Sequence, residues 1–251
     1  MNIKWDAKGY KENFGFVNQY GEDVLNLITA KENALAVDLG CGNGALSIKL
    51  ADKGYRVLGV DASEDMLKIA REQHPELNFQ AGDAVTFKLK EKADVIFSNA
   101  VLHWIDAGKQ QEMLENIAGQ LKAGGELVCE FGGKGCAETV HAKLEELFKQ
   151  RGLKYRRTFY FPTIGEYAPM MEKAGLQVEF AVLFDRPTRQ QTEDGLADWI
   201  RMFDTAPFEG IDKKTADEII SQAVEELRPV LYMEDGWYVD YVRIRFRARK
   251  R

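Results

Sequence analysis

The chain has 251 residues, 45% of them hydrophobic and 29% charged, with 34 basic side chains against 40 acidic ones. This is the composition of an ordinary soluble globular chain, and it excludes a mainly disordered, collagenous or coiled-coil protein. The net charge of −6 is opposite in sign to the basic field of a nucleic-acid binder, so no nucleic-acid partner is expected. Cys41, Cys129 and Cys136 form no Cys-x-x-Cys pair, and His74, His103 and His141 are scattered, so no metal site is expected. The odd, sparse cysteines fit a reducing compartment better than a disulfide scaffold. The N-terminal segment carries Lys4, Asp6, Lys8, Lys11 and Glu12 with no apolar run behind them, and no stretch is long and apolar enough for a membrane span. The cytoplasm is therefore the default location.

From Ala34 onward, apolar runs alternate with helical periodicities. Ala34–Leu39 reads as a strand ending at the glycine-rich Gly40–Gly44, with a helix following to about Lys53 and stopped by Gly54. Arg56–Asp61 reads as a second strand. Ser63 is a good N-cap, Glu64 and Asp65 favour the first turn of the helix it opens, and Met66, Ile69 and Ala70 mark that helix's inner face. Asn78–Ala81 and Ala93–Asn99 read as strands. Met113, Leu114, Ile117 and Leu121 share a helix face, Glu126–Phe131 reads as a strand, and Val140, Leu144, Leu147 and Phe148 mark another helix. This order predicts an α/β fold with a doubly wound, mostly parallel sheet, its strands apolar on both faces because helices cover both.

The second half continues with a helix at Ile164–Ala174 and a strand at Leu176–Phe184. The rhythm then breaks between Arg186 and Asp235. A helix started by Asp212 and stopped by Pro229 carries Ala216, Ile219, Ile220, Ala223, Val224 and Leu227 on one face. Trp237–Arg249 ends the chain as one long strand in which Val242, Ile244 and Phe246 alternate with arginines. The expected division is an N-terminal cover at 1–33, a core at 34–185 and 236–251, and a helical insertion at 186–235 that serves as a lid over the substrate.

Val37-Asp-Leu-Gly-Cys-Gly-Asn-Gly44 places glycines where a strand turns sharply into a helix and a ligand must touch backbone. Gly40, Gly42 and Ala45 also fit the dinucleotide pattern, and Asp61, about 20 residues on, suits a ribose diol in either case. Asp38 separates the readings. It lies inside the end of a buried strand, where it would repel a pyrophosphate and welcome a cationic or amine-bearing ligand. Asp83, in Ala-Gly-Asp-Ala, is a third acid at the same carboxyl edge.

Asp38-Leu-Gly-Cys-Gly-Asn-Gly44, Asp61 and Gly82-Asp-Ala84 resemble the motifs of class I S-adenosylmethionine-dependent methyltransferases. Phe97-Ser-Asn-Ala-Val-Leu-His-Trp104 and Leu121-Lys-Ala-Gly-Gly125 are similar to the trans-aconitate methyltransferase branch. The resemblance implies a seven-stranded Rossmann-like sheet whose last strand is antiparallel, with S-adenosylmethionine as cofactor and S-adenosylhomocysteine as product. It places Asp38 near the methionine amino group and Gly40 and Gly42 in backbone contact. Asp61, beside Ala62, is placed on the ribose hydroxyls, Asp83 and Ala84 at the adenine, Met66 packed on the adenine, and Asn99 at the methionine part. Tyr10, Phe14, Gln19 and Tyr20 would cover the cofactor.

The implied reaction is methyl transfer to a small molecule, with a carboxylic acid favoured by the trans-aconitate likeness and a phenolic, lipid or natural-product acceptor as the alternative. His103 is the candidate base, needed only if the acceptor must lose a proton. An antiparallel last strand begins at the site, which brings Trp237, Tyr241 and Arg243 to the acceptor. Trp104, Phe161, Trp199 and Arg201 complete the expected substrate residues, with Tyr160, Tyr167, Met202, Phe203 and Phe208 nearby. Two rival classes remain open at this point, a nicotinamide-dependent oxidoreductase and a non-catalytic module that binds S-adenosylmethionine.

Overall fold

The computed structural model describes Gly21 and residues 23–251, so the expectations for Tyr10, Phe14, Gln19 and Tyr20 lie outside the described residues. The core is built from β1 (Leu35–Leu39), α1 (Ala45–Asp52), β2 (Arg56–Asp61), α2 (Glu64–Gln73), β3 (Asn78–Ala81), β4 (Ala93–Asn99), α3 (Gln110–Gln120), β5 (Leu121–Gly132), α4 (Glu138–Gln150), α5 (Ile164–Lys173) and β6 (Leu176–Asp185). There follow β7 (Thr188–Arg189), α6 (Gly195–Phe203), α7 (Lys213–Leu231), β8 (Tyr232–Met233), β9 (Gly236–Val239) and β10 (Val242–Lys250). No helix among the described residues is long and apolar enough to cross a membrane.

Seven strands form one sheet in the order β3-β2-β1-β4-β5-β10-β6. Strand β10 runs antiparallel to β5 and β6, and the pairs from β3 through β5 are parallel. This is the doubly wound, mostly parallel sheet that the sequence predicts, with the antiparallel last strand that the family resemblance implies. Alternate residues of the central strands feed two cores. Val37, Leu39, Ile96, Leu127 and Phe131 pack with Met113, Leu114 and Ile117 of α3 and Tyr167 and Met171 of α5. Ala36, Val95, Phe97 and Val128 pack on the other face with Leu46 and Leu50 of α1. The direction in which the order grows reverses between β1 and β4, and a crevice opens there at the carboxyl ends, the place where ligands sit in such sheets.

A third core joins α4 to the insertion, through Val140, Leu144 and Phe148 on one side and Trp199, Ile219, Ala223 and Leu227 on the other. Asp212 caps α7 by accepting from the Thr215 amide at 3.0 Å. The helix does not stop at Pro229 but continues to Leu231. A proline in a last turn removes few hydrogen bonds, and Leu227 and Leu231, one turn apart, are both buried and hold that turn in place. In α2 the buried residue beside Met66 and Ala70 is Leu67, while Ile69 is half-buried.

The expected single strand Trp237–Arg249 is two strands. β9 leaves the main sheet and pairs with β7 and β8. The break falls at Asp240, whose carbonyl accepts from the Ala137 amide at 2.9 Å and whose carboxylate accepts from the Thr139 amide at 3.0 Å. The start of α4 therefore takes the hydrogen bonds that a continuous ladder would have used. Two of the β10 arginines face carboxylates in this way: Arg245 donates to Glu130 at 2.8 Å and Arg249 to Glu179 at 2.8 Å.

Candidate active site

The crevice forms a groove of about 890 Å³, partly open to solvent, and the three acids, the glycine turn and Asn99 all lie along it. Strand β1 is fully buried and delivers Asp38 to its rim. Gly40 follows with φ +79°, and a Cβ there would come within 2.2 Å of the Val101 side chain. Only glycine suits that position. Gly42 (φ +54°) turns its amide onto Asp61 Oδ2 at 2.9 Å, and the Ser63 amide donates to Asp61 Oδ1 at 2.8 Å. Two backbone donors thus fix the Asp61 carboxylate at the tip of β2, and Ser63 goes on to cap α2 through the Met66 amide. Burial raises the Asp61 pKa, and the backbone hydrogen bonds offset this only in part.

Asp38 is the more strained acid. Burial pushes its pKa up to about 7, against the hydrogen bond it accepts from Ser47 Oγ at 2.6 Å, and the Asp61 charge pushes the same way. An anion here is waiting for a cation. Asp83 is turned by the Val85 amide, which donates to its Oδ1 at 2.8 Å, and it lines the groove with Ala84, Ala62 and Met66. Buried acids ready for an ammonium or sulfonium, carboxylate oxygens for a diol, and a turn without side chains together fit S-adenosylmethionine.

A second, smaller cavity adjoins the groove and shares Ala100 and Trp104 with it. Ala100 has φ +60°, which turns the chain between the two spaces. The cavity walls are aromatic. Phe159 and Phe161 stack face to face, 5.2 Å between centres and 8° from parallel, and Trp104 lies 4.6 Å from Phe159. Trp199 and Phe203 of α6 close the far side. Trp199 Nε1 donates to the Tyr241 hydroxyl at 2.6 Å, and the Arg243 guanidinium lies 4.4 Å from the Tyr241 ring centre.

His103 also lines this cavity and is buried. Its Nδ1 accepts from the Gly132 amide at 3.2 Å, so the neutral ring carries its proton on Nε2. Burial, helped by the Arg243 charge, holds its pKa well below the ordinary histidine value. Such a ring can donate a hydrogen bond at Nε2, but its one lone pair is already used.

Two expected substrate residues lie elsewhere. Arg201 is on the outer face of α6, half-exposed, with its guanidinium 3.6 Å from Asp217. Trp237 is buried in β9 against Tyr232, ring centres 5.2 Å apart, because β9 has left the main sheet. Tyr160 and Tyr167 face the main core, where the Tyr167 hydroxyl donates to Gln110 at 3.1 Å. Phe159 and Cys136 line the cavity without having been singled out. The two-residue alternation of Phe159 and Phe161 in an extended segment was the available signal for the first.

A methyltransferase-domain family model matches residues 36–125. An uncharacterized methyltransferase of Schizosaccharomyces pombe is 29% identical over 98% of both chains. The trans-aconitate 2-methyltransferase of Agrobacterium fabrum is 24% identical over 82% of each chain. The structure of the magnesium protoporphyrin IX methyltransferase of Synechocystis, with bound S-adenosylhomocysteine, superposes with a TM-score of 0.56 at 20% identity, covering 100% of this chain and 90% of that one. The chain is a class I S-adenosylmethionine-dependent methyltransferase. Within that class it resembles the trans-aconitate branch.

Proposed function

We propose that the protein methylates a carboxylate oxygen of a small organic acid held in the aromatic cavity. The observation that carries this reading is Arg243. Arg186 and Arg245 close on Glu130, but Arg243, only 8% exposed, has no such carboxylate among the described residues. A guanidinium buried among aromatic rings calls for an anion, and it offers a carboxylate two parallel donors. The acid named for several relatives is consistent with this class of acceptor.

On this reading Asp38 meets the cofactor's amino group, Asp61 the ribose, Asp83 and Ala84 the adenine with Met66 packed on it, and Asn99 the methionine part. S-adenosylmethionine supplies, when bound, a methyl group on a positively charged sulfur: a lone pair of the acceptor oxygen forms the new C–O bond, the C–S bond pair returns to sulfur, and a carboxylate acceptor releases no proton. The chain then has to hold two reactants in line and exclude water. Trp104 and Ala100 do the first at the join between groove and cavity. The insertion at 186–235 does the second as a lid, with Trp199 and Phe203 as its inner wall. His103 orients the acid as a donor.

The test is a screen of carboxylic acids, phenols and amines with labelled cofactor, reading methanol released from esters by mild base. Arg243→Met should lower kcat/KM on the best acid by about 10–100-fold, the value of a lost charge-assisted pair. Turnover of a phenol that survives Arg243→Met and is lost in His103→Asn would replace this reading with the phenolic one.

A further inference from the structure

We infer, resting on the carboxylate reading above, that the acceptor is an unsaturated, largely apolar acid with a single carboxylate. The wall of the cavity sets the charge count. Among its described residues Arg243 is the one cation, His103 is neutral, and burial holds the Cys136 thiol in its protonated form. One guanidinium satisfies one carboxylate. A second or third carboxylate on the same molecule would have to give up its water against Phe159, Phe161, Trp199 and Phe203, with no opposite charge in return from the described residues.

The aromatic wall sets the body of the ligand. Phe159 and Phe161 stack on one another with rings parallel to within 8°, and Trp104 lies 4.6 Å from Phe159 at a tilt of 52°. An unsaturated or aromatic body gains ring contacts against such a wall. Trans-aconitate, for which several relatives are named, carries three carboxylates and suits this wall poorly.

The experiment is calorimetry on the full chain saturated with S-adenosylhomocysteine, with trans-cinnamate, cinnamamide and trans-aconitate as probes, alongside ester formation from labelled cofactor. Trans-cinnamate should bind at least about tenfold more tightly than trans-aconitate and be esterified. Arg243→Met should erase the preference for cinnamate over cinnamamide. Phe159→Leu, which keeps the cavity apolar, should weaken cinnamate by about 3–10-fold, the value of one aromatic contact. Trans-aconitate binding as tightly as cinnamate, or no binding of cinnamate, overturns the inference and leaves the carboxylate reading standing. Cinnamamide binding as tightly as cinnamate in the unaltered protein overturns the carboxylate reading itself.

Discussion

The groove along Asp38–Gly42 and the cavity around Arg243 share Ala100 and Trp104, yet they are made of different material. The groove is strand ends, backbone amides and short acids, fixed by the sheet that carries them. The cavity is large side chains brought together from the end of β4, the start of α4, an extended segment, α6 and the start of β10. On the proposed reading the groove binds by preorganised polar geometry, and the cavity binds by shape, apolar contact and the one charge among its described residues. The difference teaches where each half is vulnerable. The groove should fail when a single oxygen is removed, whereas the cavity should tolerate most single changes other than at its charge.

The largest effect belongs to the groove. Asp61→Ala should weaken S-adenosylmethionine by roughly 2–3 kcal/mol, because two charge-assisted bonds to the ribose are lost. The Gly42 and Ser63 amides also lose their acceptor, so the turn itself loosens. Acid binding in the neighbouring cavity should be unchanged. Calorimetry with each ligand reads both quantities, and an unchanged cofactor affinity would break the assignment of Asp61.

Asp38 gives the next effect, and its sign follows from its pKa of about 7. Below that pH the carboxyl is mostly protonated and cannot pair with an ammonium. Cofactor affinity should therefore rise with pH between 5.5 and 7, by about tenfold per unit at the acid end where only the ionised form binds. Asp38→Asn should flatten this slope. A slope that survives the substitution would place the titrating group elsewhere.

His103→Asn tests the cavity against the groove. A general base would cost about 10²–10⁴-fold in turnover when removed. A ring that only donates at Nε2 should cost less than about tenfold, the value of one neutral hydrogen bond. Its lowered pKa keeps it neutral across the working range, so turnover should also be flat from pH 6.5 to 8.5 at saturating cofactor. A sigmoidal rise in rate that disappears in His103→Asn would return the ring to the role of base.

The same contrast decides what could be read in the sequence. The strand–turn–helix of the groove is contiguous from β1 to α1, so Asp38, Gly40 and Gly42 carry their own spacing, and Asp61 and Asp83 follow at the ends of the next two strands. Sheet topology brings those ends together by rule. The cavity has no such local code. Trp199 and Arg201 are two residues apart and look alike as neighbours of aromatic side chains, but helical rotation sends them to opposite faces. Trp237 reads as the first residue of the last strand until the bonds made by Asp240 break that strand in two. The unprotonated Nδ1 of His103 depends on the Gly132 amide, which nothing near His103 in the chain announces.

The smallest effect is expected at Arg201. Trp199 and Phe203 are one turn apart and share the buried face of α6, which places Arg201, two residues from each, on the outer face. There it is 48% exposed and meets Asp217 at 3.6 Å, a surface pair of small value. Arg201→Met should change folding stability by no more than about 0.5 kcal/mol and leave the binding of an acid unaltered. Arg243→Met, on a side chain only 8% exposed in the wall of the cavity, should abolish the preference for a charged over an uncharged ligand. Measuring both variants by calorimetry against one acid and its amide sharpens the comparison to a single number, the count of cations that the cavity offers. Loss of acid binding in Arg201→Met would raise that count to two, and the insertion would then contribute charge to the cavity as well as wall.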